Sequence, residues 1–68
     1  MITVGIDVGS ISAKAALVRD NQLVGSRVAL TGYNARNAGE KVFKELLATL
    51  DIRTDAVDRI VATGYGRN

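Results

Sequence analysis

Gly5-Ile6-Asp7-Val8-Gly9-Ser10-Ile11-Ser12-Ala13-Lys14 is the stretch on which the reading of this chain turns. It opens as a strand. Ile2, Val4, Ile6 and Val8 alternate with Thr3, Gly5 and Asp7, the period-2 pattern of a pleated ribbon. The ribbon runs into a glycine and two hydroxyl residues, then restarts near Ala13 through Ala15, Ala16, Leu17 and Val18. Gly9 is expected to take backbone angles closed to other residues and to let a bulky ligand reach the main chain. The amides of Ser10, Ile11, Ser12, Ala13 and Lys14 would then converge on one anion. Lys14 adds a full positive charge at the rim, and Ser10 and Ser12 add hydroxyl donors. Asp7, at the end of the first strand, is placed to hold a hydrated Mg²⁺ beside that anion. The plainer alternative is a β-hairpin with a Gly-Ser turn and an incidental lysine. The full D-x-G-S-x-S-x-K pattern between two apolar strands favours phosphate binding. It is not the G-x-x-x-x-G-K-[ST] loop, and no helix follows it.

Outward from this loop, the chain reads as four strands and one helix. Strand one covers about 2–8 and strand two about 13–19. Asp20-Asn21 forms a tight turn, since both residues tolerate left-handed angles. Strand three runs over about 22–30, with Val24, Val28 and Leu30 on one face. Thr31-Gly32-Tyr33-Asn34 ends it. A helix follows to about Leu50, with Asn34 as N-cap, or Asn37 with Glu40 three residues on. Ala38, Val42, Leu46 and Leu50, flanked by Ala35, Phe43 and Leu47, form its apolar stripe. Ile6, Val8, Leu17, Val28 and Val61 are expected beneath it. Glu40–Lys44 and Lys41–Glu45 have the i, i+4 spacing of surface pairs. Thr54 is a candidate cap for a short turn in the polar connection, and about 57–63 is the fourth strand.

Short turns make the first three strands alternate in direction, and a helical crossover makes the fourth parallel to the third and the first. If strand four lies beside strand one, Gly9-Ser10 and Gly64-Tyr65-Gly66-Arg67 face one crevice. Ligands of such sheets sit beyond the carboxyl ends of parallel strands. The expected fold is α/β: β-β-β-α-β, a mixed sheet of order 3-2-1-4 with one helix on a face.

Composition bounds the chemistry. The chain has 68 residues, 47% of them hydrophobic, with 9 basic and 7 acidic side chains. A unit this size buries only about 60% of the surface its unfolded chain exposes. There is no cysteine and no histidine, so this stretch supplies no disulfide, thiolate ligand or imidazole base. One Phe, two Tyr, no Trp and a net charge of +2 give no stacking platform or basic stripe for nucleic acid. No apolar run approaches the ~20 residues of a membrane span. Met1-Ile2-Thr3 lacks the basic start of a signal peptide, so a cytoplasmic protein is expected.

The first loop resembles the phosphate loop that opens the actin, Hsp70 and sugar-kinase superfamily (the ribonuclease H-like, actin-like ATPase domains). There it joins two antiparallel strands and cradles the phosphates of ATP. The segment Ile60-Val61-Ala62-Thr63-Gly64-Tyr65-Gly66-Arg67-Asn68 resembles the signature of one branch. These are the BadF/BadG/BcrA/BcrD-type ATPases, activators of 2-hydroxyacyl-CoA dehydratases and benzoyl-CoA reductases. Their opening G-I-D-V-G-S-x-x-x-K is matched by Gly5 to Lys14. The resemblance implies ATP or ADP with Mg²⁺ at the crevice, Asp7 as the catalytic carboxylate, and Gly9 to Lys14 as the phosphate cradle. Thr63, Gly64, Tyr65 and Gly66 form its polar edge. Arg67, a permanent cation, belongs either at the crevice or in a domain contact.

The resemblance also implies an ATPase dimer around one [4Fe-4S] cluster, which passes a low-potential electron to a dehydratase or reductase component. This chain carries no cluster cysteines, no second phosphate loop and no adenosine-binding segment. Residues 1–68 therefore read as a single partial domain, the first half of an actin-like subdomain, inactive as an ATPase on its own. The uncovered sheet face is expected to make it a homo-oligomer. Two other readings stand beside this one: a fragment of another actin-like ATPase or sugar kinase, and a non-catalytic interaction module on the same scaffold.

Overall fold

The computed structural model describes residues 1–32 and 35–64, with side chains for 1–32 and 37–63. Strand β1 (Ile2–Val8) runs antiparallel to β2 (Ser12–Arg19), and β2 runs antiparallel to β3 (Gln22–Leu30). The helix α1 (Ala35–Leu50) and a short 3₁₀ turn (Thr54–Ala56) lead to β4 (Arg59–Gly64), parallel to β1. The sheet order is β3-β2-β1-β4, so strand four does lie beside strand one, as expected.

Local chemistry explains the corners. Asp20 and Asn21 sit at φ 52° and 67°, the left-handed pair that lets a two-residue turn follow the twist of its strands. The last turn of α1 ends at Asp51, also left-handed at φ 56°. The helix starts one residue after Asn34, whose capping role lies outside the described residues. Asn37 falls inside the helix and is not its cap. The cap position of the 3₁₀ turn is Arg53 rather than Thr54. Strand β4 begins at Arg59, two residues later than its apolar pattern suggests. Before it, the Asp58 amide donates to the Ile2 carbonyl (2.9 Å), and the Ile2 amide donates to the Asp58 carboxylate (2.7 Å).

All of the core lies on one side of the sheet. Val4 and Val8 of β1 and Ala13, Ala15 and Leu17 of β2 meet Ala38, Val42, Leu46 and Leu47 of α1. Ile6, Phe43 and Leu50 are partly buried around them, so Leu50 closes the stripe less fully than expected. Gly39 is what lets α1 sit close. A Cβ there would meet Val8 at 3.3 Å, tighter than ordinary packing. Glu45 turns toward β3, where it receives the Arg27 Nε at 3.3 Å.

Two expected neighbours of the helix are on the other face. Val28 stands opposite Lys14, and Val61 stands opposite Gly5. Both pairs point away from Val4, Val8 and Leu17, and both valines are exposed. Leu17 pairs with Gly25 but Val18 pairs with Leu23, a bulge at Val24, and Val24, Val28 and Leu30 are all exposed.

Candidate functional site

The carboxyl ends of β1 and β4 and the β1–β2 loop share one edge of the sheet. Val8 is level with Gly64, and Asp7 with Thr63 on one side and Lys14 on the other. Thus the topology brings Asp7, Lys14 and Thr63 into one row across three strands. The Thr63 hydroxyl donates to Asp7 Oδ1 at 3.4 Å, a long bond that steers the carboxylate without holding it rigidly. Asp7, Lys14 and Thr63 are all exposed. Among the described residues, neither Lys14 nor Asp7 is committed to an ion pair. A cation and a carboxylate thus stand side by side, each open to an external partner.

The loop itself is a two-residue connection. The Gly9 amide donates to the Ser12 carbonyl at 2.8 Å, with Ser10 and Ile11 at the tip. Gly9 is not in the left-handed region, contrary to expectation. Its requirement is space: a Cβ would lie 3.2 Å from the Ser12 carbonyl oxygen. Ser10 and Ile11 are exposed, and Ile11 keeps 75% of its surface in solvent. Among the described residues the amides of Ser10 and Ile11 have no protein acceptor. Ala13 and Lys14 are placed differently. They lie in a strand paired on both sides, where the ladder takes their amides. The Ala13 methyl is wholly buried in the core. The donors open to an anion are therefore the loop-tip amides, the serine hydroxyls and the Lys14 ammonium. Gly64 ends β4 at the same edge; Tyr65, Gly66 and Arg67 lie outside the described residues.

Behind this edge the uncovered sheet face forms an open concavity of about 370 Å³. Gly5 and Ala16 make its floor, with Asp7, Lys14, Val28 and Thr63 around it. A single carboxylate suits a cation that keeps most of its water, as Mg²⁺ does. A dehydrated ion needs more ligands, and no cluster of three ligating side chains occurs among the described residues. The residues present fit Mg²⁺ held through water. They do not fit an iron–sulfur cluster, since the chain has no cysteine.

Sequence reasoning missed Thr31. It is buried just beyond β3, and its hydroxyl donates to the Gly9 carbonyl at 2.8 Å. The only signal in the chain is a hydroxyl residue where β3 ends.

The model of the BadF/BadG/BcrA/BcrD ATPase family matches residues 4–68. The activator of lactoyl-CoA dehydratase from Anaerotignum propionicum is 32% identical over 98% of this chain, which covers 26% of that protein. The crystal structure of component A of (R)-2-hydroxyglutaryl-CoA dehydratase from Acidaminococcus fermentans superposes with a TM-score of 0.89 at 29% identity. That match covers all of this chain and 26% of the other. The activator of 2-hydroxyisocaproyl-CoA dehydratase from Clostridium difficile, solved with bound ADPNP, gives 0.83 at 27% identity, covering 98% and 25%. The chain thus spans about a quarter of the length of these relatives. Its fold is that of a part of an actin-like ATPase domain.

Proposed function

This chain belongs to the BadF/BadG/BcrA/BcrD ATPase family, and from that membership we propose that its first hairpin holds the phosphates of ATP in an activator of a 2-hydroxyacyl-CoA dehydratase or benzoyl-CoA reductase. The observation that carries the reading is the row of Lys14, Asp7 and Thr63 beside a loop whose tip amides lack protein acceptors. In the proposed site, the Ser10 and Ile11 amides, the Ser10 and Ser12 hydroxyls and Lys14 receive phosphate oxygens. Asp7 orients the hydration shell of Mg²⁺, and Thr63 restrains Asp7. Gly9 permits the close turn. Bound Mg²⁺ supplies charge neutralisation at the phosphates. The proposal also assigns Gly64, Tyr65, Gly66 and Arg67 to nucleotide binding, with Arg67 either at the crevice or in a domain contact.

The relatives named as dehydratase activators support a dehydratase partner, and the ADPNP bound by one of them supports the nucleotide. Electron donation to that partner, through a [4Fe-4S] cluster whose ligands would lie outside residues 1–68, is part of the proposal, as is a cytoplasmic location. So is the need for a second wall to shield the reacting phosphate from bulk water. The test is steady-state ATP hydrolysis by the full-length protein that carries this segment, compared with its Asp7→Asn variant. The variant keeps the side-chain shape and loses the charge. Nucleotide should still bind, while hydrolysis and ATP-dependent activation of the dehydratase partner collapse. Unchanged turnover in Asp7→Asn would refute the role given to this carboxylate.

A further inference from the structure

Thr31 is the one buried polar side chain among the described residues, and both of its hydrogen bonds reach the same loop. Its hydroxyl donates to the Gly9 carbonyl at 2.8 Å, and its amide donates to the Ile11 carbonyl at 2.9 Å. In an ordinary two-residue hairpin the residues flanking the turn exchange two backbone bonds. Here only one is made. The Gly9 amide donates to Ser12, but among the described residues the Ser12 amide does not donate back to the Gly9 carbonyl. That carbonyl is turned toward β3 instead, onto a side chain 22 residues away.

We propose that Thr31 is a positioning residue for the phosphate loop, its hydroxyl standing in for the Ser12 amide at the Gly9 carbonyl. The consequence is electrostatic. Carbonyl oxygens beside a bound anion repel it, whereas amides attract it. Thr31 draws the carbonyls of Gly9 and Ile11 to its own side and leaves the amides of Ser10, Ile11 and Ser12 for phosphate oxygens. The loop is therefore held open before nucleotide arrives, and binding does not have to break a backbone bond. Valine at this position has the same shape and no donor. The Gly9 carbonyl would then take the Ser12 amide, closing the hairpin in the ordinary way. This inference rests on the phosphate-site reading above.

The experiment uses the full-length protein carrying this segment, with Mg·ATP binding followed by calorimetry and Ser12 amide exchange followed by NMR. Thr31→Val should weaken nucleotide binding about tenfold, the loss of one net hydrogen bond. It should also slow exchange at the Ser12 amide in the absence of nucleotide. Thr31→Ser should restore both values. Thr31→Ala serves the same comparison if valine prevents folding. A residue that only stabilised the fold would show the opposite pattern: a lower melting temperature, unchanged affinity in the folded protein, and faster or unchanged exchange at Ser12. That result overturns the proposal. If the wild type binds nucleotide and Lys14→Ala weakens it while Thr31→Val does not, only the role of Thr31 falls. If the wild type does not bind nucleotide, the phosphate-site reading falls and takes this inference with it.

Discussion

At the scale of single residues, Asp7 and Thr63 are linked by one long hydrogen bond, and the link predicts an ordered series of defects. Thr63→Val removes the hydroxyl that steers Asp7 and leaves the carboxylate in place. Turnover of ATP in the full-length protein should fall about two- to tenfold, the cost of one net hydrogen bond in the barrier. Asp7→Asn should cost far more, because it removes the charge itself. A Thr63→Val defect as deep as that of Asp7→Asn would mean that Thr63 acts on the substrate directly. Asp7 and Lys14 were legible as site residues, because each flanks the Gly-Ser loop between two apolar strands; that they stand level across the hairpin comes from the register. Thr31 was not legible. Its partner Gly9 is remote in sequence, and nothing in a T-G step at a strand end reveals which carbonyl the hydroxyl will meet.

At the scale of elements, α1 is stabilised by what it buries. Its mid-stripe side chain Leu46 is 1% exposed and belongs to the core cluster that includes Val4 and Leu17. Leu46→Ala should destabilise the chain by about 2–5 kcal/mol, a large fraction of the stability of so small a unit. Urea unfolding would show it as a lower midpoint at unchanged slope. A shift below about 0.5 kcal/mol, the range of ordinary surface substitutions, would mean that Leu46 does not face the sheet in solution. The helix was readable because Ala38, Val42 and Leu46 repeat at helical spacing with no competing pattern. The sheet was readable as strands but not fully as faces. Alternation shows that Val28 and Val61 each have a side. It does not say which side until the register against Lys14 and Gly5 is known. The bulge opposite Leu17 and Val18 was not legible either: it puts Leu23 level with Val18, the place an unbroken register gives to Val24.

At the scale of the whole molecule, the sheet has a covered face and an open one. Val28 and Val61 are exposed on the open side, 60% and 44%, on either side of the Gly5–Ala16 floor. A chain of residues 1–68 expressed alone should therefore associate with itself as concentration rises. Light scattering over a concentration series would detect it, and a monomer throughout would count against an adhesive open face. The same isolated chain presents one wall of a nucleotide cleft, so its affinity for ATP should be weak beside that of the full-length protein. The central claim is that the Gly9–Lys14 hairpin grips phosphate. It is tested most directly by calorimetric titration of Mg·ATP into the full-length protein and its Lys14→Ala variant. Losing a charge-assisted contact of roughly 1.5–3 kcal/mol should raise the dissociation constant about tenfold to a hundredfold. Equal affinity in the two proteins would contradict the account and leave Gly9-Ser10 as a hairpin turn beside an incidental lysine.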